Sequence, residues 1–295
     1  MLVTMKEILE RASRENYAVA APNVDNELNA RACIEAAEEM NAPLILDVAF
    51  PATVDIFFFG RELRELAIQS KVPIAINLDH GASMEQVMKA IQAGFTSVMI
   101  DRSAYSNEKN IEDTKAVVEV AHACGVSVEA EFGHVGQANN YEHDGYSALT
   151  VAQEAADFIK ATGVDCLAVA IGTAHGAYPK GMKPYIDFDR LNEIKETTGN
   201  FPLVLHGSSG TDIELLRKAC SMGINKVNVS NDLCQAAVRA VKEGDFDGNK
   251  AYFVLTSIKE AIKSKTKELI EIYGSKDKAW EIKQRGLPVY QISGE

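Results

Sequence analysis

Short apolar runs alternate along the chain with longer stretches in which apolar side chains recur every third or fourth residue. The runs are rich in valine, isoleucine and leucine and predict buried strands, whereas the longer stretches, for example 27–40 and 111–124, predict amphipathic helices. Regular alternation of the two is typical of βα units in a parallel sheet. We predict eight strands, at residues 18–24, 44–49, 74–78, 97–100, 126–130, 166–171, 203–205 and 226–229.

Eight strand–helix units favour a (β/α)8 barrel over an open doubly wound sheet, because the open sheet normally carries a glycine-rich dinucleotide-binding turn near its start. The sequence has no such turn. We therefore expect an α/β protein, a single TIM-barrel domain over residues 1–295 with two extra helices from about Asn249 onward. Two long connections, 132–150 and 172–187, interrupt the pattern, and long loops in a compact domain are usually functional.

The composition narrows the class of protein. The chain has 295 residues, of which 46% are hydrophobic and 24% charged, and a net charge of −12, which argues against nucleic-acid or anionic-membrane partners. No signal pattern opens the sequence, and no apolar run approaches the roughly 18 residues of a membrane span. The five cysteines are scattered without a CxxC pair, so we expect them to be reduced. A soluble cytoplasmic protein is the expectation.

Polar residues fall at the ends of most predicted strands. Barrel enzymes carry their chemistry at the carboxyl ends of the strands, so these residues are the candidates for the site. In chain order they are Asn23, Asp79, His80, Asp101, Glu131, His175, His206, Asn228, Ser230 and Asn231.

Three of these residues are histidines, His80, His175 and His206. A closed barrel brings its strand ends together, and three imidazoles with a free fourth position are the ligand set of a catalytic zinc site. Each histidine could instead simply cap its own strand, but three at one rim with acids beside them favour a metal. Glu131 is a candidate for a fourth or alternate ligand, or for an acceptor that orients one imidazole.

Two turns after the last strands are candidates for phosphate binding. "HGSSG" at 206–210 and "NVSN" at 228–231 each lead into a predicted helix. Barrel phosphate sites form at this position from backbone N–H groups, small hydroxyls and a helix N-terminus. The alternative is that Ser208 and Ser209 only cap the following helix.

Taken together, these segments resemble the class II, zinc-dependent fructose-bisphosphate and tagatose-bisphosphate aldolase family. The similarity runs from about Met5 to Ala279 and is highly specific in order and spacing. The segments that carry it are "YAVAAPNV", "LDHGAS", "GFTSVMIDRS", "GVSVEAEFGHVG", "IGTAHGAY", "PLVLHGSSG", "KVNVSN" and "YGSKDKA".

The resemblance implies roles for particular residues. One Zn²⁺ per subunit is expected on His80, His175 and His206, with Glu131 able to swing toward the metal and Asp79 as the proton donor to the aldehyde oxygen. It also implies a monovalent cation near the phosphate site and a homodimer or homotetramer. The implied phosphate and substrate contacts are Gly176, Gly207, Ser208 and Asn228, a looser candidate in Lys180, and the neighbouring Asn23, Ser209, Ser230 and Asn231.

The sequence also departs from the family pattern. The family's acidic loop after strand five reads "GQANNYEHDG" here, so Glu142 is the candidate for the missing acid/base and His143 a weaker one. The serine expected near the far phosphate of a bisphosphate is replaced by Ala49, followed by Phe50, and such apolar groups offer a dianion no donors. Arg102 stands where the family has glycine, either near the substrate or in solvent.

We therefore predict a lyase that reversibly cleaves a ketose 1-phosphate to dihydroxyacetone phosphate and an aldehyde. A fructose- or tagatose-1,6-bisphosphate aldolase is the close alternative, and a non-catalytic metal- and sugar-phosphate-binding paralogue is another. A zinc hydrolase on the same fold usually has a histidine-x-histidine pair on the first strand, where Asn23 stands. Lys226, inside strand eight, remains open as a Schiff-base lysine.

Overall fold

The eight predicted apolar runs form eight parallel strands in a computed structural model, which describes residues 1–138, 149–176, 178–179 and 184–281. Each strand pairs with its neighbours in chain order, and β1 pairs with β8. A bridge between Asn23 and Asp47 joins the edges of β1 and β2, so the sheet forms a nearly closed barrel. The strands are β1 Val19–Pro22, β2 Leu44–Ala49, β3 Ile74–Gly81, β4 Ser97–Ile100, β5 Ser127–Phe132, β6 Cys166–Val169, β7 Leu203–Leu205 and β8 Ile224–Val229.

Amphipathic helices surround the barrel. Most begin at a serine, threonine, asparagine or aspartate whose side chain accepts from a backbone N–H of the first turn, as Ser83 does from Gln86. The α-helices are α1 Met5–Glu15, α2 Glu27–Glu39, α3 Ile56–Gln69, α4 Met84–Ala93, α5 Asn107–Ala123, α6 Ala152–Thr162, α7 Phe188–Thr198, α8 Ile213–Ser221, α9 Asn231–Glu243 and α10 Val254–Tyr273. Short 3-10 helices lie at Phe50–Ala52 and Gly248–Phe253.

Two extra helices are expected in the chain after Asn249. Within the described residues this part of the chain forms the end of a 3-10 helix and one α-helix, α10, which packs outside the barrel against α2 and α9. The helix ends at Tyr273, where Gly274 has a φ of 78° and caps it in the left-handed region. No helix in the described part of the chain is long and apolar enough to span a membrane.

The strands divide their side chains by the two-residue period. Outward residues such as Leu46 and Ile76 join the large core between sheet and helices, while inward residues such as Ile45 and Ala75 pack against Met5, Ile8 and Leu9 of α1. Helix α1, which the sequence pattern did not assign, therefore plugs the amino end of the barrel. The carboxyl end is left for the polar residues.

Candidate active site

The three rim histidines meet above the barrel. The ring centroids of His80 and His206 lie 4.7 Å apart, those of His80 and His175 4.8 Å, and those of His175 and His206 5.6 Å. Ligand atoms of these histidines and of Glu131 all lie within 4.8 Å of one another. The topology thus gathers four ligand-type side chains from β3, β5 and the loops that follow β6 and β7.

A kink in β3 explains how two consecutive residues serve one site. In a regular strand Asp79 and His80 would point to opposite faces, but His80 has a φ of 50° and the register with β4 shifts between Leu78 and Gly81. Both side chains therefore line the same cavity. Gly81 permits the kink, because a Cβ there would lie 2.3 Å from the carbonyl oxygen of Met99.

Two carboxylates fix which ring nitrogens remain free. Asp101 Oδ2 accepts from His80 Nδ1 at 2.8 Å, and Glu129 Oε1 accepts from His206 Nε2 at 2.9 Å. His80 Nε2 and His206 Nδ1 are thereby left as lone-pair donors facing the site. This arrangement of a carboxylate behind a histidine is typical of metal ligands.

The buried polar atoms test whether the residues fit a cation. His206 Nδ1 and Glu131 Oε2 are completely buried, lie 3.3 Å apart and have no hydrogen-bond partner. Such atoms are costly to bury unless a further group satisfies them, and imidazoles with a carboxylate suit a divalent transition metal. The donor set therefore fits a metal ion.

The charges around the histidines are consistent with that fit. Burial lowers the pKa of His175 to about 4, so this imidazole is neutral and able to act as a ligand at neutral pH. Burial also disfavours a charged His206, but the hydrogen bond to Glu129 and the nearby Glu131 carboxylate prevail and raise its pKa to about 10. The carboxylates thus stabilise positive charge at this point of the site.

Asp79 lies beside the histidines in a fixed orientation. Its two oxygens accept from the amides of Asn23 at 2.8 Å and Asn228 at 3.0 Å, and it is 6% exposed. Although burial favours the neutral acid, the charges of His80 and Lys226 lower the pKa of Asp79 to about 2. A held, ionised carboxylate next to a metal-type site suits proton exchange with a bound oxygen.

Lys226 lies one layer deeper in the barrel and is completely buried. Its ammonium donates to Glu129 Oε2 at 2.9 Å and Asn228 Oδ1 at 2.7 Å and forms an ion pair with Asp47 Oδ2 at 3.0 Å. Burial alone would lower its pKa, but the surrounding carboxylates raise it above the ordinary value. A charged, fully engaged ammonium is not a Schiff-base nucleophile, so the structure removes that alternative.

The predicted phosphate-binding residues share one cavity of about 560 Å³ with Asp79 and two of the histidines. The Ser208 hydroxyl donates to the carbonyl of Asn228, and helix α8 is capped by Asp212, so neither serine caps that helix. The cavity walls include Asn23, Gly176, Gly207, Ser208, Ser209, Asn228, Ser230 and Asn231. These turns open onto the N-termini of α8 and α9, which favour anions.

Apolar and acidic groups also line the cavity. Ala49 lines it as the sequence indicated, together with Ala52 in place of the expected Phe50, and Asp25 joins them from the connection between β1 and α2. Asp25 was missed by the sequence analysis, because an exposed carboxylate in a loop carries no distinctive pattern. Its Oδ1 accepts from the amides of Asn26 at 2.7 Å and Asn29 at 2.6 Å.

Arg102 contacts neighbouring protein groups and does not line the cavity. It donates to Asp113 at 2.7 Å and to the carbonyl of Ala82 at 2.8 Å, and it lies over the ring of Tyr105. Of the remaining candidates, Lys180, Glu142, His143 and the neighbouring Asn139 and Asn140 lie outside the described residues.

Comparison with known proteins identifies the family. The sequence model described as fructose-bisphosphate aldolase class-II matches residues 3–278. The chain belongs to this family. A fructose-bisphosphate aldolase from Thermus caldophilus is 40% identical, across 95% of this chain and 100% of that protein. One from Helicobacter pylori is 37% identical, across 94% and 100%.

Solved structures show the same relationship. The YdjI aldolase from Escherichia coli K12 superimposes with a TM-score of 0.85 at 34% identity, covering 95% of this chain and 100% of that one. As a class II aldolase the protein is a lyase, and its family is metal-dependent. Membership also implies a phosphorylated ketose on one side of the reaction, and dihydroxyacetone phosphate with an aldehyde on the other. The expected family and barrel fold are thus confirmed.

Proposed function

We propose that the protein is a zinc-dependent aldolase that reversibly cleaves a ketose 1-phosphate to dihydroxyacetone phosphate and an aldehyde without phosphate. One observation carries the proposal: the ligand atoms of His80, His175, His206 and Glu131 converge, and two of these histidines line, with Asp79, the cavity that the glycine- and serine-rich turns also line. Imidazole with one carboxylate is a set that zinc favours, which supports zinc as the metal, one ion per subunit.

Different residues of the chain have different roles in this reaction. When bound, zinc supplies a Lewis acid that polarises the ketose carbonyl. Asp79, held by Asn23 and Asn228, exchanges the proton of the oxygen at the cleaved bond. The backbone and hydroxyls of 207–209 and 230–231 hold the phosphate of the dihydroxyacetone half. Glu131 is the alternate ligand or a neighbouring acceptor, and Glu142 stays the candidate for the carbon-bound proton.

Part of the cavity lining supports a substrate with one phosphate. The side chains of Ala49 and Ala52 offer no hydrogen-bond donor, and Asp25 adds a negative charge that disfavours a second dianion. The relatives favour a bisphosphate substrate instead, since the similar Thermus caldophilus protein is a fructose-bisphosphate aldolase. A fructose- or tagatose-1,6-bisphosphate is therefore the second candidate substrate.

Aldol cleavage assays on ketose 1-phosphates and 1,6-bisphosphates decide between these substrates. We expect higher kcat/KM for a monophosphate, loss of activity on chelation and recovery with zinc. The variant Asp25→Asn with Ala49→Ser is expected to raise relative kcat/KM for the bisphosphate roughly fivefold, the equivalent of ~1 kcal/mol between partly solvated charges.

Three results would count against the proposal. Equal or better turnover of bisphosphates by the wild type would refute the monophosphate preference. Activity that survives complete metal removal would refute metal dependence. A zinc-loaded protein inert toward all ketose phosphates would instead favour the non-catalytic paralogue.

The remaining properties follow from weaker observations. We propose a single barrel domain that forms a homodimer or homotetramer, because Tyr252, Phe253 and Leu255 expose apolar surface at the start of α10. We also propose a cytoplasmic location, which the five free cysteines support, and a monovalent cation near the phosphate turns.

A further inference from the structure

We propose that Lys226 is a positioning residue that holds both the metal ligand His206 and the acid Asp79 in their working orientations. The inference rests on the proposed function for the roles of those two residues. Among the described residues Lys226 is the single fully buried lysine, and it touches neither the cavity nor the place of the substrate. Any effect on the reaction therefore passes through its hydrogen-bonded neighbours or through its charge, which helps to lower the pKa of Asp79.

One arm of the contact network runs to the metal site. Lys226 donates to Glu129 Oε2, and Glu129 Oε1 accepts from His206 Nε2. The lysine thus fixes the carboxylate that keeps the proton on Nε2 and leaves Nδ1 as the ligand atom. Without the lysine, Glu129 Oε2 keeps the longer contact from the Asn77 amide at 3.4 Å, and the carboxylate is held less firmly behind the imidazole.

The other arm runs to the proton donor. Asn228 Oδ1 accepts from Lys226 at 2.7 Å, so its amide nitrogen faces the other way and donates to Asp79 Oδ1 at 3.0 Å. An asparagine without such a partner is free to turn its oxygen toward the carboxylate and repel it. The lysine therefore determines which end of this amide meets Asp79.

The buried position of the Lys226 ammonium suggests that this charge orients neighbouring residues rather than stabilises the fold. Apolar side chains at such a buried position are often as stabilising as an ion pair, because desolvation of the charges offsets their attraction. Here the ammonium lies between Asp47 and Glu129, and Asp47 in turn accepts from Asn77 at 2.9 Å. The four polar groups form a layer directly beneath the site.

The test replaces Lys226 with methionine and compares the variant with Lys195→Met. Lys195 is a partly buried lysine with two partners, Ser13 and Phe201, and neither of these hydrogen bonds reaches the site. We expect Lys226→Met to weaken zinc binding about 10- to 100-fold in a chelator competition assay. At saturating zinc, kcat should still fall on the order of 10- to 100-fold with little change in KM, whereas Lys195→Met should change neither.

A double-mutant cycle with Asp79→Asn separates positioning from general damage. If Lys226 acts through Asn228 on Asp79, its effect on kcat shrinks once Asp79 is already replaced, while its effect on zinc affinity remains. Fully additive losses in kcat would contradict the second arm.

A second variant, in which the buried charges stay balanced, controls for misfolding of Lys226→Met. Lys226→Met leaves two buried carboxylates without their cation, so Asp47→Asn/Lys226→Met, which removes one charge of each sign, is measured beside it. Wild-type zinc affinity and kcat in either folded variant would overturn the inference. Wild-type protein that binds zinc but cleaves no ketose phosphate would overturn the proposed function alone, because the effect on zinc affinity is measured without substrate.

Discussion

Removal of the Asp101 carboxylate should weaken metal binding through His80. Asp101 Oδ2 accepts from His80 Nδ1 at 2.8 Å, while its other oxygen accepts from the backbone and hydroxyl of Ser103 at 3.0 and 2.7 Å. The carboxylate is therefore rigid and holds the ring with Nε2 toward the other histidines. In Asp101→Ala the ring is free to rotate and to take the other tautomer.

The size of the effect follows from this single contact. Loss of a carboxylate behind a ligating histidine typically costs about 10- to 100-fold in metal affinity, or about 1.4 to 2.7 kcal/mol. Asp101→Asn should lose less, because its amide oxygen still accepts from Nδ1 without the charge. A 30-fold weaker affinity lowers the stabilisation by excess zinc by about 2 kcal/mol.

The assay titrates metal-stripped protein with zinc against a chromophoric chelator, and follows urea unfolding with and without zinc. Asp113→Ala is the matched control, since its side chain is 24% exposed against 23% for Asp101 and pairs with Arg102 and Lys109 instead of a histidine. Unchanged zinc affinity in Asp101→Ala, or an equal loss in Asp113→Ala, would refute the reasoning.

Two further predictions concern the acid and a lysine remote from the site. Asp79→Asn keeps the shape but removes the proton acceptor, so kcat for aldol cleavage should fall about 10²- to 10⁴-fold with zinc binding retained; a fall below tenfold would remove Asp79 from the chemistry. Burial lowers the pKa of Lys195 from 10.5 to about 8. Between those values the unfolded chain binds more protons, so the unfolding free energy of the wild type should rise with pH relative to Lys195→Met, measured by urea denaturation; a flat difference would contradict the shift.

Much of the fold and of the candidate metal site was predictable, because both depend on regular patterns. The regularly spaced apolar runs predict the strands, and closure of the barrel brings the carboxyl ends of the strands together. The position of His80, His175 and His206 at or after strand ends was therefore enough to predict that they meet. The family resemblance supplied the role of Asp79.

Features that depend on local geometry were not predictable. The period of β3 gives no sign that the strand continues to Gly81, which lies close to Met99, or that His80 adopts a positive φ. The sequence left Lys226 open as a nucleophile. Its ion pairs with Asp47 and Glu129 join strands that are distant in the sequence, so no local pattern indicates them. Helix α1 lacked a neighbouring strand to mark it as part of the barrel.

The central claim is that three imidazoles gather around one zinc ion. Crystals grown with zinc and measured by anomalous diffraction at the zinc edge test it most directly. We predict one strong anomalous peak per subunit, bonded to His80, His175 and His206. Zinc bound elsewhere, or no peak among these rings in zinc-saturated protein, would contradict it.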